Sequence, residues 1–292
     1  LNAVKLATNP TTKLTAAEDF IAKFPNSTAR VSVAEVIAGE ILKIKNGTVA
    51  LALLERAQAI FTSEQEREAL RPAALEAYVL GDRATDAFAV AAEMLAKNPD
   101  DIPVLTRMTQ TGTEEASKKN RNYVDVSLQY GLKAIALLEA GTKPANLTDE
   151  AWTLQRGKLD QLYQQTAILY LAAGNAAEAK SRLTKASTLS PRNPSNFALL
   201  ARVINADYVV QKDAYEAMKD GQSKQEAQKK LEVLLDSMIE AYARAVALAT
   251  GRVEYQSLLQ TMIPDLTTHY KTRNNQSTRG LQELINRYRA AP

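Results

Sequence analysis

Residues 160–193 read DQLYQQTAILYLAAGNAAEAKSRLTKASTLSPRN, and this stretch decides the fold. Leu162, Tyr163, Thr166, Ala167, Tyr170 and Leu171 recur at helical spacing on one face. Gly174 then stands where a helix ends in a left-handed residue. Asn175 is placed to cap a second helix, with Glu178 three residues on completing a capping box. The second helix carries Ala179, Leu183, Ala186 and Leu189 on one stripe and stops at Ser190-Pro191. Asn193-Pro194 supplies a cap and an N1 proline for a third helix. The segment is therefore a helical hairpin of 34 residues, with small side chains where two helices approach closely.

Those residues resemble a tetratricopeptide repeat (TPR). In that pattern an aromatic stands fourth, a small residue eighth and a tyrosine eleventh, and here these are Tyr163, Ala167 and Tyr170. Gly174 fills the turn, Ala179 and Ala186 the twentieth and twenty-seventh places, and Pro191 the thirty-second. The family's tryptophan is absent, and Thr166 stands where leucine is usual. A half-copy follows, with Phe197, Leu200, Ala201 and Ile204 in matching places. The resemblance implies an all-α, right-handed superhelix of antiparallel hairpins whose first helices line a concave groove.

Working outward, the same grammar recurs. Residues 1–13 contain Asn9-Pro10-Thr11-Thr12 and read as an N-terminal arm, leaving 14–292 as a single repeat domain. Helices are expected over 15–24, 28–45 and 48–61, then over 64–80 and 84–97, with Gly47 and Gly81 at turns 34 residues apart. Beyond this the units lengthen. The paired small positions are Ala50/Ala57, Ala87/Met94, Ser127/Ala134, Ala179/Ala186 and Met238/Ala245, and their first members stand 37, 40, 52 and 59 residues apart. The added residues read as helix too: a pair over 101–119 and 123–140, one long helix over 148–173, and two more over 194–219 and 224–249. Pro264 kinks or breaks the last pair, and a short helix begins at Ser277, giving about thirteen helices in all. A hairpin buries only one side, so each must stack on its neighbours.

Composition agrees. Of 292 residues, 46% are apolar, and Gly and Pro together number only 21. No apolar run approaches the roughly 18 residues of a membrane span. A net charge of +3 does not suggest a nucleic-acid partner. The absence of cysteine excludes disulfides, thiolate metal sites and thiol catalysis. It fits the cytosol and a bacterial export route equally. The chain opens at Leu1, not Met, which leans towards an exported, periplasmic protein, although trimming of a start site leaves the same residue.

Chemistry-bearing residues are few. His269 is the only histidine, with Asp265 four residues before it on one helical face, and it reads as a surface or capping residue. Trp152, the only tryptophan, reads as packing against the preceding hairpin. Glu114-Glu115 and Asp149-Glu150 stand in or near first helical turns, where carboxylates favour the macrodipole. Phosphate loops, GxSxG and HExxH are absent, so neither catalysis nor a cofactor or metal is expected. From His269 onward, Lys271, Arg273, Arg279, Arg287 and Arg289 face only Glu283, a local net charge of +4, with Tyr270 and Tyr288 between them. That segment is a candidate surface for an anionic partner, or a solvated end cap.

The TPR resemblance implies a non-catalytic scaffold that holds a peptide or a partner's helix. The alternative is an envelope protein binding a small molecule or glycan between its long helices. By the same resemblance the second, fifth, ninth and twelfth positions of each repeat line the groove. These are Gln161, Gln164, Ile168 and Leu171, then Ser195, Ala198, Arg202 and Asn205. Gln164 and Ile168 stand where the family's carboxylate clamp needs Lys and Asn, so that specialisation is not expected. Arg202 is the residue on which recognition would turn, unless it pairs with an acid on a neighbouring helix.

Overall fold

The computed structural model describes residues 2–289. Leu1, on which the export reading rests, and the last three residues of the basic segment lie outside them. Among the described residues there are fifteen α-helices, one 3-10 turn and no strand. The chain is thus all-α, as its pattern implies. The contacts divide it into two compact units, Leu1–Thr111 and Gly112–Pro292.

The first unit opens on α1 (Asn2–Leu6) and α2 (Pro10–Lys23), so the expected irregular arm is helical. The reason is local. Asn9 caps α2 by accepting from Thr12 N, Thr12 returns the capping-box bond, and Pro10 occupies the first turn. There follow α3 (Arg30–Ile41), α4 (Gly47–Ile60), α5 (Glu64–Leu80), α6 (Ala84–Lys97) and the start of α7 (Ile102–Ser117). Their shared core runs from Val4 and Leu14 through Ile37, Leu54 and Phe61 to Leu70 and Ala77. Arg30 ties α3 to α5. It donates to Glu66 at 2.5 and 3.2 Å and to the carbonyls of Pro25 and Ile60. Glu66 is at once the α5 capping-box residue and 1% exposed.

The second unit holds the end of α7, then α8 (Val124–Ala140), α9 (Asp149–Arg156), α10 (Leu159–Ala172), α11 (Ala176–Leu189), α12 (Pro194–Glu216), α13 (Gln222–Ala249), α14 (Gln256–Arg273) and α15 (Leu281–Arg289). Gly112 lets α7 approach α8, since a Cβ there would lie 1.8 Å from Ser127 Oγ. The single long helix expected over 148–173 is two helices, and the chain turns at Gly157-Lys158, leaving α10 to pack on α8 and α11. Pro264 does not break α14, which runs through it. α1 and the α9–α10 break account for fifteen helices in place of about thirteen.

The TPR-like hairpin is present in detail. Tyr163, Ala167, Ala179 and Ala186 are buried, and Gly174 has φ +82°. Asn175 caps α11 from Glu178 N, but Glu178 does not close a capping box, and its carboxylate lies 3.6 Å from Arg182 instead. Thr166, fully buried in the usual leucine place, is satisfied by donating to Leu162 O. Of the five paired small positions every member is buried except Met94, which is half-buried.

Candidate functional site

The first helices α10, α12 and α14 are linked by side chains that leave one helix and end on the next. On α10, Gln164 donates to Asn196 Oδ1 of α12 at 2.8 Å, and Asn196 donates to Ala186 O of α11 at 3.1 Å. Asn196 is completely buried, so its amide joins three helices where water cannot compete. On α12, Arg202 donates to Thr261 Oγ1 of α14 at 3.5 Å, while Thr261's own proton goes to Leu258 O.

Around Arg202 lies a polar cluster. Tyr242 of α13 is 1% exposed, donates to Asp265 Oδ2 at 3.4 Å, and stacks on His269 with ring centroids 5.9 Å apart and planes 13° from parallel. Burial pushes the Tyr242 hydroxyl up to about 12; Asp265's charge adds to that and Arg202's opposes it. Burial also holds His269 below its ordinary value, against the pull of Asp265. His269 is thus half-buried and stacked, where the sequence suggested a surface or capping residue. Among the described residues Arg202 has no carboxylate in ion-pair reach, although its side chain is exposed.

The other groove candidates divide. Gln161 is exposed, and Ile168 and Asn205 are half-buried. Gln164 is already engaged with Asn196. Leu171 is half-buried against the Ala167, Ala179, Leu183 and Val203 core. Ser195 is half-buried, and Ala198, 1% exposed, belongs to the core of α12 and α13.

The basic C-terminal candidates are not one charged surface. Arg273 is paired with Asp236 of α13 at 2.8 Å. Lys271 is half-buried on the same helix, while Arg279 lies in the turn before α15, its carbonyl accepting from Tyr270. Arg287 and Arg289 are exposed but two residues apart on α15, which sets them on opposite sides of the helix. One member of each acidic pair is engaged as well. Glu115 accepts from Lys118 and Asn120, and Asp149 from Lys143. Trp152 is 9% exposed on α9.

Sequence reasoning missed Tyr242, Thr261 and Asn196. Tyr242 had a signal, an aromatic between Met238 and Ala245 on the buried stripe of α13. Asn196 and Thr261 had none, since their partners lie 32 and 59 residues away.

No family model and no curated protein matches the chain. Among solved structures, a monomeric IFIT1 mutant with m7Gppp-AAAA aligns at TM-score 0.42 and 16% identity, covering 97% of this chain and 56% of that one. The same mutant background with Gppp-AAAA gives 0.40 and 16%, again 97% and 56%. PilF from Pseudomonas aeruginosa aligns at 0.41 and 15%, over 88% of this chain and 97% of that one. The chain therefore spans little more than half the length of the IFIT1 chain it is similar to.

Proposed function

We propose that the chain is a TPR-type interaction module in which α10, α12 and α14 hold a peptide or a partner's helix against Ile168, Arg202 and Asn205. The observation that carries this reading is Arg202, an exposed guanidinium with one neutral contact, to Thr261 at 3.5 Å, and no carboxylate in ion-pair reach among the described residues. Such a group beside partly exposed apolar side chains favours a partner that brings an acidic residue flanked by apolar ones. Gln164 and Leu171 then support the wall instead of contacting the partner, because both are engaged within the fold.

A displayed random-peptide library selected on the folded protein tests the reading. Selected sequences should carry Asp or Glu next to apolar residues. Arg202→Glu should weaken them by about tenfold or more without lowering the melting temperature. Equal affinity for wild type and a well-folded Arg202→Glu protein would remove these helices as the binding face.

A further inference from the structure

A second candidate site lies where α11, α12, α13 and α15 meet. The helices leave a cavity of about 460 Å³, which two arginines and two aromatic rings help to line. Arg244 of α13 stacks between Tyr288 of α15, 4.8 Å from its ring centroid, and Phe197 of α12, at 5.7 Å. Its outer nitrogen pairs with Glu240 at 2.7 Å, but its Nε is buried and has no hydrogen-bond partner among the described residues. That Nε has no accessible surface, so a ligand in the cavity does not reach it.

Arg192, in the link between α11 and α12, supplies the charge. It is exposed, lines the same cavity, and has no carboxylate in ion-pair reach among the described residues. The hydroxyls of Thr184, Ser187 and Thr188 also line the cavity, but each donates to a carbonyl of its own helix. The open charge is therefore that of Arg192, while Phe197, Leu248 and Tyr288 form apolar walls.

We propose that this cavity binds an aromatic carboxylate, its anionic group taken by Arg192 and its ring by the Phe197–Leu248–Tyr288 wall. The chemistry follows from the lining. A carboxylate neutralises Arg192, and a flat apolar body fits against the rings. The source is either a free small acid or the C-terminal carboxylate of a peptide ending in an aromatic residue, since both present the same group.

Two probes separate those sources: 3-phenylpropionate, and an acetylated tripeptide ending in phenylalanine with a free carboxylate. The amide of each is the neutral control, binding is measured by calorimetry, and the position is read from amide shifts of residues 184–188. At least one acid should bind about tenfold or more tighter than its amide, and Arg192→Glu should abolish that preference. Binding by the peptide alone assigns a chain terminus, and binding by phenylpropionate assigns a free acid. Arg192 is exposed, so its replacement leaves the melting temperature in place. Tyr288→Leu should weaken the acids with their charge preference intact. Arg202→Glu should change nothing here, which separates this cavity from the face on α10, α12 and α14. The proposal is overturned if acid and amide bind alike, if Arg192→Glu binds as wild type does, if the shifts fall elsewhere, or if neither acid saturates by about 10 mM.

Discussion

Glu66→Gln is the substitution whose cost can best be worked from geometry. The carboxylate accepts from Arg30 Nε at 2.5 Å, Arg30 Nη2 at 3.2 Å and Ser63 N at 2.9 Å, and its side chain is only 2% exposed. Glutamine keeps the volume and one acceptor for the Ser63 cap, but removes the charge that balances Arg30. That guanidinium, 16% exposed, retains the carbonyls of Pro25 and Ile60. Stranding one partner of a buried pair costs about 3–5 kcal/mol, and the remaining carbonyls and partial hydration of Arg30 bring the expected loss to about 2–3 kcal/mol. Burial raises the Glu66 carboxyl, but the bonds from Arg30 and Ser63 outweigh it and hold the group below its ordinary value of 4.5. A depressed carboxylate contributes stability that is complete above the unfolded pKa and lost as pH falls through the folded one. The gap between wild type and Glu66→Gln should therefore be full at neutral pH and shrink below about pH 4. Urea unfolding followed by far-ultraviolet circular dichroism at both pH values measures it. Arg30→Met, alone and combined with Glu66→Gln, closes a double-mutant cycle whose coupling should be at least about 1 kcal/mol. A loss under about 0.5 kcal/mol, or strictly additive single substitutions, would refute the assignment of α3–α5 stability to this pair.

Three further outcomes are expected. Ala186→Leu should overpack the fully buried contact among α10, α11 and α12 and cost about 1–3 kcal/mol in chemical denaturation. Gly174→Val should lower the melting temperature through backbone strain alone, because φ is +82° and a Cβ there meets nothing within 4 Å. Gly174→Asn, which tolerates the left-handed region, should recover most of that loss. For His269 the folded state binds its proton less readily than the unfolded chain, so wild-type stability should drop as pH falls below about 6.5. His269→Phe, which keeps the stack on Tyr242, should abolish that part of the pH dependence, which for one proton cannot exceed about 1.4 kcal/mol per pH unit. Matching pH profiles for the two proteins would show that Asp265 or another group is responsible.

What was legible in the chain follows from the range of the interactions involved. Small residues seven apart on second helices mark where helices touch, and their burial at nine of ten positions depends only on local periodicity. Caps are local as well, which is why Asn175 and Asn193 act where the sequence puts them. The misses have local causes that composition concealed. The capping box at Asn9 makes a helix of an apparent arm, and Gly157 divides what periodicity alone joins. Pro264 leaves α14 intact at an exposed position, where the carbonyl it displaces can reach solvent. The links among α10, α12 and α14, by contrast, rest on pairs 32 and 59 residues apart, which no single-sequence periodicity encodes.

The division of labour between residue types also locates function. Contacts within a hairpin are made largely by alanine and leucine, which fix distance but recognise nothing. Polar side chains that cross between hairpins fall into two groups. Those with charge partners, such as Arg30–Glu66, Arg107–Glu76 and Arg273–Asp236, are internally complete and report on stability. Arg202 and Arg192 have no such partner among the described residues, yet each lies beside a second fixed polar or aromatic group on a neighbouring helix. A cation without a counter-charge on a neighbouring helix leaves a ligand's anion no internal ion pair to displace. By that argument Arg202 and Arg192, each beside a group on a neighbouring helix, are where binding should be sought first.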